Sequence, residues 1–358
     1  MSTEHPATGI HAGTVMTVLG PIPVDAMGVT LMHEHIVIDT AIWWRRPCCA
    51  TDIGLAERPL DIAMLGELRL NPFLNRDNCG LLDAEVAIEE LQRFVEYGGR
   101  TVVDPTNLGI GRDPAALQRI SRRTGLNIVM GAGFYLEPSH PDYVGGMSID
   151  EIARQIAADC GADGARPAAA AGLIGEIGIS KDFTAAEEKV LRGAARASKL
   201  SGVPLSIHLP GWERLAHRVL DTIEQEGGDL RHTVLCHMNP SLHDRAYQRS
   251  LADRGAFLEY DMIGMDFFYA DQQAQSPCDE ENAAAIRSLV DDGYANSLLL
   301  SQDVFLKMML TRYGGFGYGY ILKHFVPRLK RHGLDQATID RLLVDNPKRV
   351  FSAAHRDA

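Results

Sequence analysis

No stretch of about 18 consecutive apolar residues, the length a membrane-spanning helix needs, occurs anywhere in this 358-residue chain. Residues 1–30 also lack a basic segment followed by an apolar one, so no secretory leader is read there and a cytoplasmic, unprocessed protein is expected. Basic charge is scarce. Lys and Arg number 35 against 47 Asp and Glu, a net charge of −12 that repels phosphate backbones and anionic lipid, so neither nucleic acid nor a membrane is expected as a partner. The six cysteines (Cys48, Cys49, Cys79, Cys160, Cys236, Cys278) form no C-x-x-C pair, which removes a zinc-finger or thioredoxin reading and leaves reduced thiols as the expectation. No Ser/Gly linker, charge run or low-complexity tract divides the chain, so residues 1–358 are expected to form one domain.

What is present is a recurring unit: a short apolar, β-branched run, a loop, a helical stretch and a turn. Strands are expected at residues 30–38, 100–105, 127–133, 172–177, 203–208, 233–237, 256–260 and 297–301. Amphipathic segments lie between them at 83–97, 114–123, 184–200, 213–226, 240–254 and 279–292, with Thr184 and Glu187 in capping-box spacing and Gly98, Gly99 and Gly125 as helix stops. Eight β-then-α units predict a (β/α)8 TIM barrel, with an open doubly wound sheet as the rival that composition cannot exclude. Residues 1–25 read as an N-terminal extension with a β-hairpin around Gly20-Pro21. Residues 40–78 read as a long loop after the first strand, and 261–279 as another after the seventh; loops of that length inside a domain are usually functional or mobile.

Of the 13 histidines, His5, His11, His332 and His355 lie in polar terminal or turn contexts. The informative ones end strands. His33 and His35 in LMHEHIVI stand two apart, which on a strand puts both on one face. His208 ends VPLSIH, His237 ends TVLCH, Asp303 follows LLLSQ, and Glu176 lies in LIGEIG. In a parallel barrel the C-terminal strand ends meet at one mouth, so six residues remote in sequence converge. Four imidazoles and two carboxylates suit a borderline divalent cation; one tetrahedral site needs about four ligands, so six groups point to two metals bridged by Glu176 and a hydroxide.

The combination of HEH on the first strand, VVDPT at 102–106, GFY with HP at 133–141, single histidines on strands five and six, the strand-eight aspartate and VDNPKRVF at 344–351 resembles the phosphotriesterase family of the amidohydrolase superfamily, in its phosphotriesterase-related, resiniferatoxin-binding-like group. The resemblance implies a barrel with a two-metal centre, commonly Zn2+ with Mn2+, Co2+ or Fe2+ as other occupants, and hydrolysis of phosphotriesters, lactones or other esters. It puts His33, His35 and Asp303 on the more buried metal and His208 and His237 on the more exposed one. Where the best-known members bridge with a carboxylated lysine, this chain has Glu176; Lys181 lies past the strand. Homodimers are common in the family, and residues 40–78 would offer a contact.

The expected reaction is attack on a lactone or carboxylic ester by a metal-bridging hydroxide, with Asp303 accepting and returning the proton and Tyr135 hydrogen-bonding the reacting oxygen. A phosphotriester or other phosphate-ester hydrolase on the same centre is the alternative, and a small-molecule binding protein with little turnover is the alternative from another class. Trp43, Trp44, Arg45, Phe134, Tyr135, Met262, Phe267 and Phe305 are the expected substrate-pocket residues, a mainly aromatic set suited to an apolar or amphipathic substrate, with Arg45 placed to meet an anionic substituent.

Overall fold

The computed structural model describes residues 13–162 and 169–352. Residues 1–12 of the expected N-terminal extension, and with them His5 and His11, lie outside the described residues, as does His355.

Eight parallel strands run in sequence order around the sheet: β1 (Thr30–Leu31), β2 (Thr101–Asp104), β3 (Asn127–Ala132), β4 (Leu173–Gly178), β5 (Leu205–His208), β6 (Thr233–Leu235), β7 (Phe257–Tyr260) and β8 (Leu298–Leu300). Every neighbour in space is a neighbour in sequence, so there is no topological switch point and the doubly wound alternative falls away. β1 and β8 share no ladder, but the sheet closes just above them. The Asp303 N–H donates to the His33 carbonyl at 3.0 Å and the His35 N–H to the Val304 carbonyl at 3.2 Å. The fold is a (β/α)8 barrel.

The strands are apolar on both sides because both sides are covered. Alternate residues Val103, Val129, Leu173, Val234, Phe257 and Leu299 fill the barrel interior, and Val15, Met27 and Phe351 pack against their lower end. The intervening Val102, Ile128, Ile174, Leu235, Leu258 and Leu298 meet the helices. Val15 comes from the expected hairpin, Thr14–Thr17 paired antiparallel with Gly20–Pro23.

The helices start and stop on local chemistry. In α1 (Ala84–Glu96) the Asp83 carboxylate accepts the N–H groups of Glu85 and Val86, and α2 (Pro114–Thr124) begins on Asp113 with Pro114 in its first turn and stops at left-handed Gly125. The capping box of Thr184 and Glu187 opens α4 (Ala185–Ser201). A helix not singled out in the sequence, α3 (Ile149–Asp159), opens on the same device, Ser148 with Glu151. α5 (Ala216–Gln225), α6 (Arg245–Asp253), α7 (Asp279–Asp291) and, after β8, α8 (Val326–Arg331) continue the outer ring.

The first strand is shorter than the expected 30–38. Beyond Leu31 the backbone leaves the ladder because its donors divide among three partners: Glu34 N–H to Val103 carbonyl, His35 N–H to Val304 carbonyl, Ile36 N–H to the Asp104 carboxylate. The 40–78 segment is not a bare loop. It carries helices Ala50–Ala56 and Leu65–Leu70 and buries Met64, Leu68, Phe73 and Leu74. The segment after β7 folds a small hairpin, Phe268–Tyr269 with Ala274–Gln275. No helix among the described residues is long and apolar enough to cross a membrane.

Candidate metal centre and cavity

The six sequence-predicted residues meet at the C-terminal mouth. His33 and His35 follow β1, their rings edge to face with centroids 5.3 Å apart. His35 Nε2 lies 3.3 Å from both Glu176 Oε1 and Asp303 Oδ1; His33 Nε2 lies 3.6 Å from Glu176 Oε2 and 3.7 Å from Asp303 Oδ1. His208 Nδ1 is 3.1 Å from Glu176 Oε2 and 2.8 Å from His237 Nε2. Glu176 thus sits amid all four imidazoles.

Local backbone produces this convergence. Between Ile174 and Ile177 the β4 ladder slips against β5, a bulge centred on Gly175 and Glu176, and the Glu176 N–H crosses to the Pro105 carbonyl at 2.8 Å. A bulge re-aims one side chain, here the glutamate. His237 (φ +58°) and Asp303 (φ +47°) both adopt left-handed backbone just past their strands. For residues with a side chain this costs about 1–3 kcal/mol each and concentrates at functional sites.

Burial and charge set the protonation pattern. Burial alone would raise the Glu176 carboxyl, but the His33 imidazole and the hydrogen bonds of His208 and His237 hold it well below the usual range. Burial would lower His35, yet hydrogen bonds to Asp303 and Glu176 carry it up to about 9, and Asp261 carries His237 up to about 10. His208 goes down, through burial and the neighbouring His237 charge. The Tyr135 hydroxyl, 3.3 Å from His208 Nδ1, is pushed up by burial and by the Glu176 and Asp303 charges, so it stays a neutral donor.

Above the cluster opens a cavity of about 370 Å³. Its wall is mainly apolar: Trp43 stacks on Phe73 with centroids 5.6 Å apart, and Phe305, Tyr269, Trp212 and Met262 continue it. Trp43, Tyr135, Met262 and Phe305 therefore face the cavity. Trp44, Arg45, Phe134 and Phe267 do not. Trp44 packs under the Arg76 guanidinium, and exposed Arg45 donates to the Ile42 and Trp44 carbonyls. Phe134 is buried against His140, and Phe267 lines a separate cavity beside Met308. Lys181, the one Lys or Arg along the wall among the described residues, is exposed at the rim and paired with Asp182 at 3.0 Å.

Residues 13–351 match the phosphotriesterase family. The chain belongs to that family. An N-acetyltaurine hydrolase from Tetraodon nigroviridis is 36% identical over 343 residues, covering 94% of this chain and 97% of the relative. Among solved structures, a resiniferatoxin-binding protein from Rhodobacter sphaeroides is 57% identical with a TM-score of 0.93, covering 98% of each chain. A lactonase from Listeria monocytogenes is 26% identical with a TM-score of 0.76, covering 96% of this chain and all of that one.

As a member of the phosphotriesterase family the protein is a metal-dependent hydrolase, and its family uses a binuclear metal centre. The residues fit such a centre. Among the described residues neither ring nitrogen of fully buried His33 has a hydrogen-bond partner, though carboxylates stand 3.3–3.7 Å away; a buried polar group left so costs about 1–3 kcal/mol unless a cation takes up the free lone pair. The donor atoms of His33, His35 and Asp303 lie within 4.8 Å of one another, as do those of His33, Glu176 and His237.

The phosphotriesterase-family centre has supports that the sequence reading passed over. Asp261 accepts the His237 N–H and faces its Nδ1 at 3.1 Å, while lying 3.3 Å from His33 Nδ1; Glu259, 3.5 Å from the same nitrogen, stands beside it. Thr106 Oγ1 meets His35 Nδ1 at 2.7 Å. Such outer partners fix ring orientation and raise ligand basicity. VVDPT and a period-two FLEYD, which turns Glu259 and Asp261 inward with Phe257, were the available signals.

Proposed function

We propose that this chain hydrolyses lactones or carboxylic esters with an apolar acyl or alcohol part. The observation that carries the reading is an aromatic cavity without a free cation among the described residues, set directly above the convergent imidazoles and carboxylates.

His33, His35 and Asp303 would hold one divalent cation, His208 and His237 the second, with Glu176 between them; the lower solvent access of His33 and His35 than of His208 fits a buried and a more exposed ion. Two zinc ions, or Mn2+, Co2+ or Fe2+ in their place, would supply Lewis acidity that activates water and polarises a carbonyl. Asp303 holds a carboxylate oxygen toward the reacting water, where it accepts the proton and returns it to the leaving oxygen. The Tyr135 hydroxyl donates toward the carbonyl oxygen as negative charge develops there. Trp43, Phe73 and Phe305 exclude water and hold the apolar part of the substrate.

Amide hydrolysis on the same residues is the second reading, favoured by likeness to N-acetyltaurine hydrolases over 94% of the chain. A sulfonate substrate calls for a free cation, and Lys181 is already paired with Asp182. A metal-reconstituted panel of lactones, aryl esters, phosphotriesters and N-acyl amides with and without a sulfonate separates these. Turnover of lactones or aryl esters, lost in His33→Ala and Asp303→Asn, is expected. Preferential turnover of the sulfonated amide overturns the ester reading, and tight binding without turnover makes the chain a small-molecule binder. Elemental analysis should give two metals per chain.

A further inference from the structure

We propose that Glu34, the residue between His33 and His35, is a positioning residue that holds Asp303 in its left-handed backbone and so aims its carboxylate. Glu34 is fully buried, and both its oxygens are spent on the chain that carries Asp303. Oε1 accepts the Gln302 N–H at 2.8 Å and Oε2 the Val304 N–H at 2.9 Å, while the Ser301 hydroxyl, 2.9 Å from both Oε1 and the His33 carbonyl, donates to one of the two. The two backbone donors flank Asp303 on either side. Its own N–H goes to the His33 carbonyl at 3.0 Å. Four hydrogen bonds from residues 33 and 34 therefore surround an aspartate at φ +47°.

The same contacts stitch β1 to β8 where no ladder joins them. Ser301 Oγ also accepts the His33 N–H at 2.8 Å. Two backbone N–H groups converge on the two oxygens of Glu34, one on each; an amide would turn an NH2 toward one of those N–H groups. Held on both sides, the 302–304 turn has no freedom to rotate the Asp303 side chain away from His33 and His35. The His-Glu-His triplet thus carries two metal-facing imidazoles and, between them, the clamp for a third group on another strand.

The inference rests on Asp303 acting as proposed above, and the test separates the two. Glu34→Gln keeps the volume and loses one acceptor. Zinc titration of the metal-free protein is expected to show one of two binding events weakened about 10- to 100-fold, the range for lost outer partners. kcat should fall by a similar factor with KM nearly unchanged. Amide hydrogen exchange at Gln302 and Val304 should accelerate while Leu298–Leu300 stay protected. In an Asp303→Asn background Glu34→Gln should cost little more, since effects through one group are not additive. Independent, fully multiplied losses, or unchanged zinc affinity and exchange, overturn the inference. Should Glu34→Gln not fold, Glu34→Asp, which withdraws the carboxylate by one methylene, gives the same comparisons. Turnover retained in Asp303→Asn alone would defeat the catalytic reading instead, with zinc affinity and exchange still deciding the clamp.

Discussion

His208 Nδ1 and His237 Nε2 lie 2.8 Å apart, from strands β5 and β6, with Glu176 Oε2 within 3.5 Å of both. Two nitrogens at that distance share one proton at most; Asp261 favours it on His237, which goes up, and His208, buried beside that charge, goes down. A cation held as proposed would relieve the contest by drawing both lone pairs. If His208 and His237 hold the second cation as proposed, His237→Ala is expected to lower bound metal from two ions toward one and kcat by more than the about 10- to 100-fold of a lost outer partner; elemental analysis and steady-state kinetics check both.

Metal affinity should rise with pH. His35 at about 9 and His237 at about 10 are protonated at neutral pH in the metal-free protein, and ligation must displace those protons. Calorimetry in buffers of different ionisation heat should show proton release on zinc binding at pH 7, shrinking by pH 10. The stability of the metal-free fold runs the other way. Both values lie above the ordinary 6.5, so the protonated imidazoles stabilise the fold fully below about 6.5 and that contribution disappears as pH climbs through about 9 and about 10. Chelator-treated protein should lose denaturation midpoint over that window.

Asp261→Asn tests the outer support. It weakens acceptance from the His237 backbone and ring and removes the charge 3.3 Å from His33 Nδ1. Zinc affinity or kcat should fall about 10- to 100-fold with the fold intact, read by titration and circular dichroism.

Tyr135→Phe removes the hydroxyl and keeps the ring that packs edge to face on Trp43 with centroids 6.5 Å apart. The expected outcome is kcat lower by about 10²-fold, the scale for one lost oxyanion donor, with zinc content unchanged.

Gly131 on β3 leaves room for the Glu176 bulge. A Cβ there would press into the Gly175 carbonyl and come within 2.9 Å of Pro105 backbone. Gly131→Ala should cost about 3 kcal/mol of stability or abolish soluble expression, measured by denaturant unfolding.

The barrel and its six converging side chains were legible in the chain because both follow from repetition. Eight apolar runs between amphipathic helices admit few closures, and a parallel barrel sends every strand's C-terminal end to one mouth, so HEH, the lone strand-end histidines and Asp303 could be gathered without coordinates. Tertiary structure alone decided the direction of each group. Glu176 faces the imidazoles through a one-residue bulge. Glu34, Asp104 and Asp261 read as ordinary charges in sequence, yet their burial is tolerable only because backbone donors and imidazoles from other strands surround them. Which aromatics face the cavity was likewise unreadable: Trp43 and Trp44 are adjacent, and only the path of the 40–78 segment turns one over the mouth and the other onto Arg76.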